Sequence, residues 1–517
     1  MTTAENSVLI RFFLALWRAV TGWYETSGLH RLLVRASAGW SRWFRGSRVM
    51  EAVTREGTLP RAWGQSVLCR ALRWVVNLPA NLLGLLYNKL AGVFEGSAFA
   101  RLGFAMGVSV PYAIGWLTMG IIAFAYTYWN NMYALAVYVL LTALFILGGM
   151  RRKKQRLEVE RLGAYPVFFL MFVGIAWVSS YRSSLSFHYL FFHLTAALCV
   201  LVTVSAVEKP EHLMRLAGCV VAAMVVISLV GIQQGIEGVP VNASYTDMFA
   251  NQGMPGRVYS WYENPNTFAQ VLVMLMPLAL ALMVGSRTGW GKLGGAAAFA
   301  LGTVAIVMTY SRASWVGLGA AVVVFLFFWK RKLLPVLLLA AVACLPLLPD
   351  SVLNRILSMF NTNDSSTSSR LPLYRAAGEL IGKRPVRGAG LGGDVVRQAV
   401  KDLSTYHGRA AFVHSHNLFL QLWLETGLFG LLSFIAAMFS GVKSAAKAVG
   451  EKSCPAGARA VTIGAMAGIC GSLVNSMADY IWNYPRVMVI FWFVFALMLS
   501  GVKLAKRAAE EKAAAQG

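Results

Sequence analysis

The sequence predicts an all-α polytopic membrane protein with about twelve transmembrane helices and a partly helical extracytoplasmic loop domain between spans nine and ten. Three observations lead there. Of the 517 residues, 57% are hydrophobic and only 13% charged. Apolar runs of about 20 residues, the length that crosses a bilayer, recur along the chain. The basic residues gather in short clusters between those runs, as they do on the cytoplasmic face of membrane proteins.

Residues 1–100 stand apart. They carry twelve Lys and Arg against five acids, interleaved with Trp17, Trp23, Trp40, Trp43, Trp63 and Trp74. Apolar periodicity with Arg on the other face and Trp at the edges describes helices lying in the headgroup layer, so a basic amphipathic cytoplasmic membrane-surface region is expected, in contact with anionic lipid. Arg11 and Arg18 interrupt the first apolar stretch, which argues against a cleaved signal peptide. Val67 to Leu90 is apolar enough to dip into the membrane, but Arg70, Arg73 and Lys89 weaken a full span.

Apolar runs then begin near residues 105, 132, 162, 188, 214, 264, 293, 313, 333, 414, 458 and 486. This gives transmembrane helices one to nine within residues 101–349, a loop cap over 350–413, helices ten to twelve within 414–505, and a cytoplasmic tail at 506–517. Basic clusters at Arg151–Arg156, Arg287–Lys292, Lys330–Lys332, Lys443–Lys452 and Lys503–Arg507 all fall on one side if the first span runs outward. Both termini are then cytoplasmic, in a cell (inner or cytoplasmic) membrane. The net charge of +25 is explained by that asymmetry, so no nucleic-acid partner is expected. The outer loops become 128–132, 180–186, 237–263, 310–314, 350–413 and 479–485. The long one holds the polar stretch Asn361–Ser369 and helical pieces at Leu371–Ile381 and Val395–Leu403, since a structureless loop of that length would be unusual.

Six scattered cysteines offer neither a disulfide framework nor zinc spacing. No Asp-x-Asp pair and no phosphate-binding Gly-x-x-x-x-Gly-Lys-Ser/Thr loop is present, so neither a metal nor a cofactor is expected. Chemistry has to come from ionisable groups on the outer face. Arg257 lies in a loop ahead of Asn264-Pro265-Asn266, where Asn caps and Pro opens a helix. Arg312 sits in a minimal turn between two apolar helices, and its guanidinium fork suits phosphate oxygens. A lone interfacial Arg more often snorkels to water. His416-Asn417, nine residues, then Gly427-x-x-Gly430 opens the tenth span, with Ser415 as a plausible cap and His416 in the first turn. Gly427 and Gly430 on one helical face would let a neighbouring helix approach. Glu425, about 13 Å below His416 at 1.5 Å per residue, needs an Arg or a polar group of another helix as its partner. The run Arg387–Gly393 follows no strand, so its glycines point to a tight turn with backbone N–H groups free for an anion rather than to nucleotide binding.

The His416-Asn417 and Gly427-x-x-Gly430 pattern resembles the signature of the O-antigen ligase and O-antigen polymerase-like membrane glycosyltransferases. Arg257 before Asn264-Pro-Asn266, Ser311-Arg312 at a hairpin tip, and Arg370 followed by Pro385 and Gly388-Ala-Gly390 resemble the family's other landmarks, in order, over roughly residues 105–505. The resemblance implies inverting, metal-independent transfer of a saccharide from a polyprenyl-pyrophosphate donor to a glycan or lipid acceptor hydroxyl, for cell-surface polysaccharide assembly. Arg257, Arg312 and Arg370 would then bind pyrophosphate, and His416 would act as the base. Asn264, Asn266, Asn417, Glu425, Gly427 and Gly430 would support them. A repeat-unit polymerase is the alternative within that chemistry. A secondary transporter and a non-catalytic scaffold are the alternatives outside it. The two halves of the chain show no repeat and the polar groups gather at one face rather than the midplane, which counts against a transporter.

Overall fold

Helix fills each apolar run of the sequence in the computed structural model. The structure describes residues 57–151, 155–242, 255–360, 370–406 and 412–515, with Arg55 and scattered positions between 15 and 39. Much of the amphipathic reading of residues 1–56, and the polar stretch Asn361–Ser369, lie outside the described residues. The chain divides into two compact units, Met1–Arg61 and Ala62–Gly517. The second holds the apolar helices from Val67 onward.

Its helices are α1 (Val67–Lys89), α2 (Ala98–Val108), α3 (Val110–Ile122), α4 (Met132–Arg151), α5 (Ala164–Val178), α6 (Ser183–Ala206), α7 (Pro210–Glu237), α8 (Pro265–Gly285), α9 (Gly289–Met308), α10 (Arg312–Lys330) and α11 (Leu334–Cys344). The cap follows as α12 (Asp350–Leu357), α13 (Arg370–Lys383) and α14 (Gly393–Leu403), and the chain ends in α15 (Leu418–Gly450), α16 (Ala456–Asn475) and α17 (Pro485–Ala514). Among the described residues no strand occurs, and eight helices are long and apolar enough to cross a membrane, or nine if the bent pair α2–α3 forms one span. The chain is thus a multi-helical membrane protein. Helices α8, α16 and α17 form its centre. The apolar stretch of α17 is entirely enclosed by protein, which explains why Phe491, Phe493 and Phe495 on different faces are all buried.

Six connections meet at one end of the bundle. Arg486, at the start of α17, donates to the carbonyls of Ile121 and Ile122 at the end of α3 and of Trp261 in the α7–α8 loop. Its guanidinium also lies over the rings of Tyr262 and Trp129. Tyr181, between α5 and α6, donates its N–H to Ala389 of the cap, and Leu418 donates to Ser476 after α16. At the other end Glu158 accepts from Lys503 Nζ at 2.8 Å, Arg507 at 3.0 Å and Arg161 at 3.3 Å. Lys503 is fully enclosed, and the carbonyls of Val204 and Ser205 take its remaining protons, the condition for burying an ammonium without large cost. Helix α1 is bound to this end through Asn77, which exchanges hydrogen bonds with Leu157 at 2.8 and 3.0 Å.

The cap between α11 and α15 has a small core of its own, with Ala377, Leu380, Val396, Val400 and Phe412 packed together with Leu424 of α15. It docks on a break in α15. Gly427 has φ 72° and ψ −178° inside that helix, which frees the carbonyls of Leu424 and Glu425 to accept from Ala389 and Gly390 at 2.6 and 3.1 Å. Leu428 in turn donates to Pro385. The close approach at Gly427 is therefore that of the cap backbone, not of a neighbouring helix: a Cβ there would lie 1.8 Å from the Val386 carbonyl oxygen.

Gly427→Ala should accordingly undock the cap, since the left-handed conformation alone costs an alanine about 1–3 kcal/mol. At Gly430 an added Cβ meets chiefly the Thr426 side chain of its own helix, so Gly430→Ala should melt closer to the parent protein in detergent. Equal melting temperatures and equal protease resistance of the cap in the two variants would reject this account.

Candidate active site

The backbone before α15 sets the position of the histidine. Asn417 caps the helix, its Oδ1 accepting from Leu420 N–H at 3.0 Å, and its Nδ2 reaches the carbonyl of Met477 at 2.9 Å. The cap is therefore Asn417 rather than Ser415, and His416 stands before the helix instead of in its first turn. Ser415 braces the turn from within, its N–H bonded to Gln421 Oε1 and its Oγ to the Asn417 carbonyl. His416 has φ 49°. Among the described residues only Ser260, Tyr310 and His416 combine a side chain with positive φ, and all three lie at this end of the bundle, one in each of three connections.

Because α15 starts against the α16–α17 turn, His416 faces Asp479, with Nδ1 3.4 Å from Oδ1. An ionised carboxylate only accepts, so in this contact Nδ1 carries the proton and Nε2 keeps its lone pair. The Asp479 carboxylate also accepts from Gln270 at 2.9 Å and from the N–H of Tyr480 at 2.8 Å. Burial by itself would raise the pKa of this carboxyl, but the His416 hydrogen bond first, then the nearby His416, His414 and Arg370, hold it below the usual value. The His416 side chain is 38% exposed against 13% for Asp479, so the imidazole can meet a substrate while its partner stays shielded. His414 lies under it, ring centres 4.2 Å apart. Burial first, then the neighbouring His416, brings His414 down to about 4, which keeps it neutral.

The arginines approach from other elements. Arg257 is 7% exposed, with Nε donating to the Thr309 carbonyl at 2.7 Å and Nη2 to Asn266 Oδ1 at 2.5 Å. Asn264 caps α8 through Thr267 N–H and reaches Tyr484 Oη with its amide, so the Asn264-Pro265-Asn266 segment both starts the helix and grips Arg257. Arg312 donates to the carbonyl and hydroxyl of Ser358 at 2.9 and 3.2 Å. Arg355 of α12 donates Nε to the carbonyl of Tyr310 at 3.2 Å. Burial, then repulsion from Arg355 and Arg312 against the pull of Asp479, lowers Arg257 to about 9. Arg370 opens α13 and adds its charge to the field at His414 and Asp479.

Glu425 and the glycine run meet each other instead of the histidine. Glu425 accepts from Gln421, one turn back on its own helix, at 2.9 Å and from Tyr480 at 3.1 Å, and Gly392 N–H also binds its carboxylate. The anion that the glycine turn receives is thus a side chain of the protein, and the pair fastens the cap to α15. Arg355, His414 and Gln270 carry no mark in the sequence reading. The His414-x-His416 spacing was the one available signal, and Asp479 was visible only as an acid just ahead of a span.

His414, His416 and Asp479 are the single group among the described residues whose imidazole and carboxylate atoms lie near enough, within 4.8 Å, to share a metal ion. Of these atoms His416 Nδ1 and Asp479 Oδ1 already hydrogen-bond to each other, while His414 Nδ1 accepts the backbone N–H of His416, so the group holds the His416 imidazole in place. It can orient an imidazole, take a proton from a hydroxyl and present guanidinium groups to an anion.

Residues 296–435 match the family model described as O-antigen ligase. The match runs from within α9 to within α15 and includes Arg312, Arg355, Arg370, His414, His416, Gly427 and Gly430, while Arg257, Asn264 and Asp479 lie outside it. A comparison with curated proteins finds no match. Residues 296–435 are thus similar to the O-antigen ligases, and the apolar helices around them fit an integral membrane protein.

Proposed function

We propose that the chain moves a saccharide from a polyprenyl-pyrophosphate carrier to an acceptor hydroxyl on the extracytoplasmic face of the cytoplasmic membrane, as a ligase of surface polysaccharide. The observation that carries this reading is the His416–Asp479 contact at the same end of the bundle as the buried Arg257. The basic groups Arg156, Arg161, Lys503 and Arg507 gather at the opposite end, which the positive-inside rule assigns to the cytoplasm.

In this reaction the acceptor O–H gives its proton to His416 Nε2 as its oxygen attacks the anomeric carbon. The bond from that carbon to the phosphate oxygen breaks, and the pyrophosphate leaves with the electron pair. A single displacement inverts the anomeric centre. Asp479 holds the Nδ1–H of His416 and stabilises the imidazolium that forms. Arg257, Arg312 and Arg370, with Arg355, neutralise the departing anion. Burial first, then the neighbouring cations, push Arg257 down, and a bound pyrophosphate would relieve the repulsion among the arginines.

A transporter would need its polar groups near the midplane, whereas these lie at one end. A polymerase would share every residue of the site and differ in its acceptor, which would be a second lipid-linked glycan.

His416→Ala should abolish transfer, by a factor of about 100 to 10,000 for loss of a general base, with the protein still inserted. Normal surface glycan in cells carrying it would end the mechanism. In the same cells, accumulation of full-length lipid-linked chains supports a ligase and accumulation of single repeats a polymerase. Arg312→Lys should fail to restore transfer, since an ammonium cannot present the paired donors of a guanidinium, and transfer at the parent rate would remove Arg312 from the anion site. For Asp479→Asn, loss of the imidazolium partner should lower turnover and leave binding of undecaprenyl pyrophosphate unchanged, and unaltered turnover would show that His416 needs no carboxylate.

A further inference from the structure

A left-handed residue that is not glycine or asparagine needs something to hold it, and each of the three at this end has its own brace. Ser260 donates its N–H to Gln234 Oε1 at 2.7 Å and its hydroxyl to the Ile227 carbonyl at 2.6 Å. The carbonyl of Tyr310 accepts from Arg355. His416 donates its N–H to Nδ1 of His414 at 3.2 Å, a side-chain contact that spans two residues as an Asx turn does. His414 is only 9% exposed and is fixed from the other side by the ring of Tyr480, 5.7 Å away. Tyr480 in turn is tied to Glu425 and to Asp479. The brace on His416 therefore belongs to the same framework that sets its carboxylate partner.

From this geometry we infer that His414 is a positioning residue for the proposed transfer, its Nδ1 holding the His416 N–H so that the imidazole of His416 stays aimed at Asp479. His414 acts on the backbone and not on the proton being moved. An Nδ1 that accepts an N–H bears no proton, so the Nε2 of a neutral His414 bears it, and the contact consumes its one ring acceptor. This makes a sharp distinction between side chains. Asparagine can accept the same N–H two residues on, through Oδ1, and it lacks a titratable ring. Leucine and alanine offer no acceptor.

The inference rests on the reading of His416 as the base, and the experiment separates the two. Full-length His414→Asn, His414→Leu, His414→Ala and His416→Ala proteins are compared in host cells at equal membrane levels, by surface glycan and by build-up of polyprenyl-linked saccharide. Binding of undecaprenyl pyrophosphate to the purified proteins checks that the arginines are still in place. His414→Asn is expected within about threefold of the parent, and His414→Leu and His414→Ala about 10- to 100-fold lower, all three with unchanged binding of the pyrophosphate probe. An inactive His414→Asn that binds the probe normally would overturn the inference, since the ring itself would then be required. Full activity of the leucine or alanine variant would overturn it as well. If leucine at this site prevents accumulation, the asparagine and alanine arms still decide. Activity in His416→Ala would instead bring down the reading of the base, whatever the His414 variants do.

Discussion

The Asp479 carboxylate joins three separate parts of the chain at one point. It accepts from Gln270 in α8, from His416 ahead of α15 and from its own neighbour Tyr480. Each of those elements packs elsewhere through apolar surface, which fixes orientation loosely and register poorly. The directional bonds to one shielded anion select a single arrangement among many that would bury the same apolar area. Without that anion the imidazole would lose its tautomer, and α8 and α15 would lose the link that aligns the Arg257 and His416 segments.

Burial of so much charge at the end of an apolar bundle requires that every donor be occupied. Arg486 shows the structural solution, with carbonyls from two connections and two aromatic faces around one guanidinium. Glu158 shows it at the other end, with three cations around one carboxylate. Arg257 differs, because burial and then two further guanidinium groups in its field reduce its affinity for its own proton. A cation stabilised by carbonyls alone serves the fold. One destabilised by neighbouring cations is better suited to receive an anion.

The helical membrane class was legible because apolar length and basic clustering are properties of contiguous sequence, and each of the twelve runs is helical, but among the described residues only eight helices, or nine with the bent pair, are long and apolar enough to span. Helices Leu371–Ile381 and Val395–Leu403 were legible for the same reason and lie inside α13 and α14. Arg257, Arg312 and His416 could be found because each stands at the end of an apolar run, where charge is conspicuous. Asp479 and Arg355 could not be given a role, since their meaning depends on contacts across 63 and 45 positions of chain. The placing of His416 in the first turn failed for a local reason. Both Ser415 and Asn417 are able caps, and only the hydrogen bonds that Asn417 and Leu418 donate to the carbonyls of Met477 and Ser476 decide between them. Glu425 and Gly427 were read as parts of one helix, whereas the broken helix turns their carbonyl and their missing Cβ toward the cap.

That break gives the cap a role in the site as well as over it. The bonds from Ala389 and Gly390 reach α15 about two turns in from its start, just beyond His416, while α12 and α13 of the same cap carry Arg355 and Arg370. A cap held only by its small core could slide over the membrane end, and the arginines would move relative to the imidazole. Docking into backbone groups exposed by Gly427 removes that freedom, because carbonyl positions in a helix are fixed to within a fraction of an ångström. In the proposed reaction Gly427 thus acts through the distance between two cap arginines and one histidine. This explains why a residue eleven positions beyond the imidazole, buried and without a side chain, belongs to the same motif as the imidazole itself.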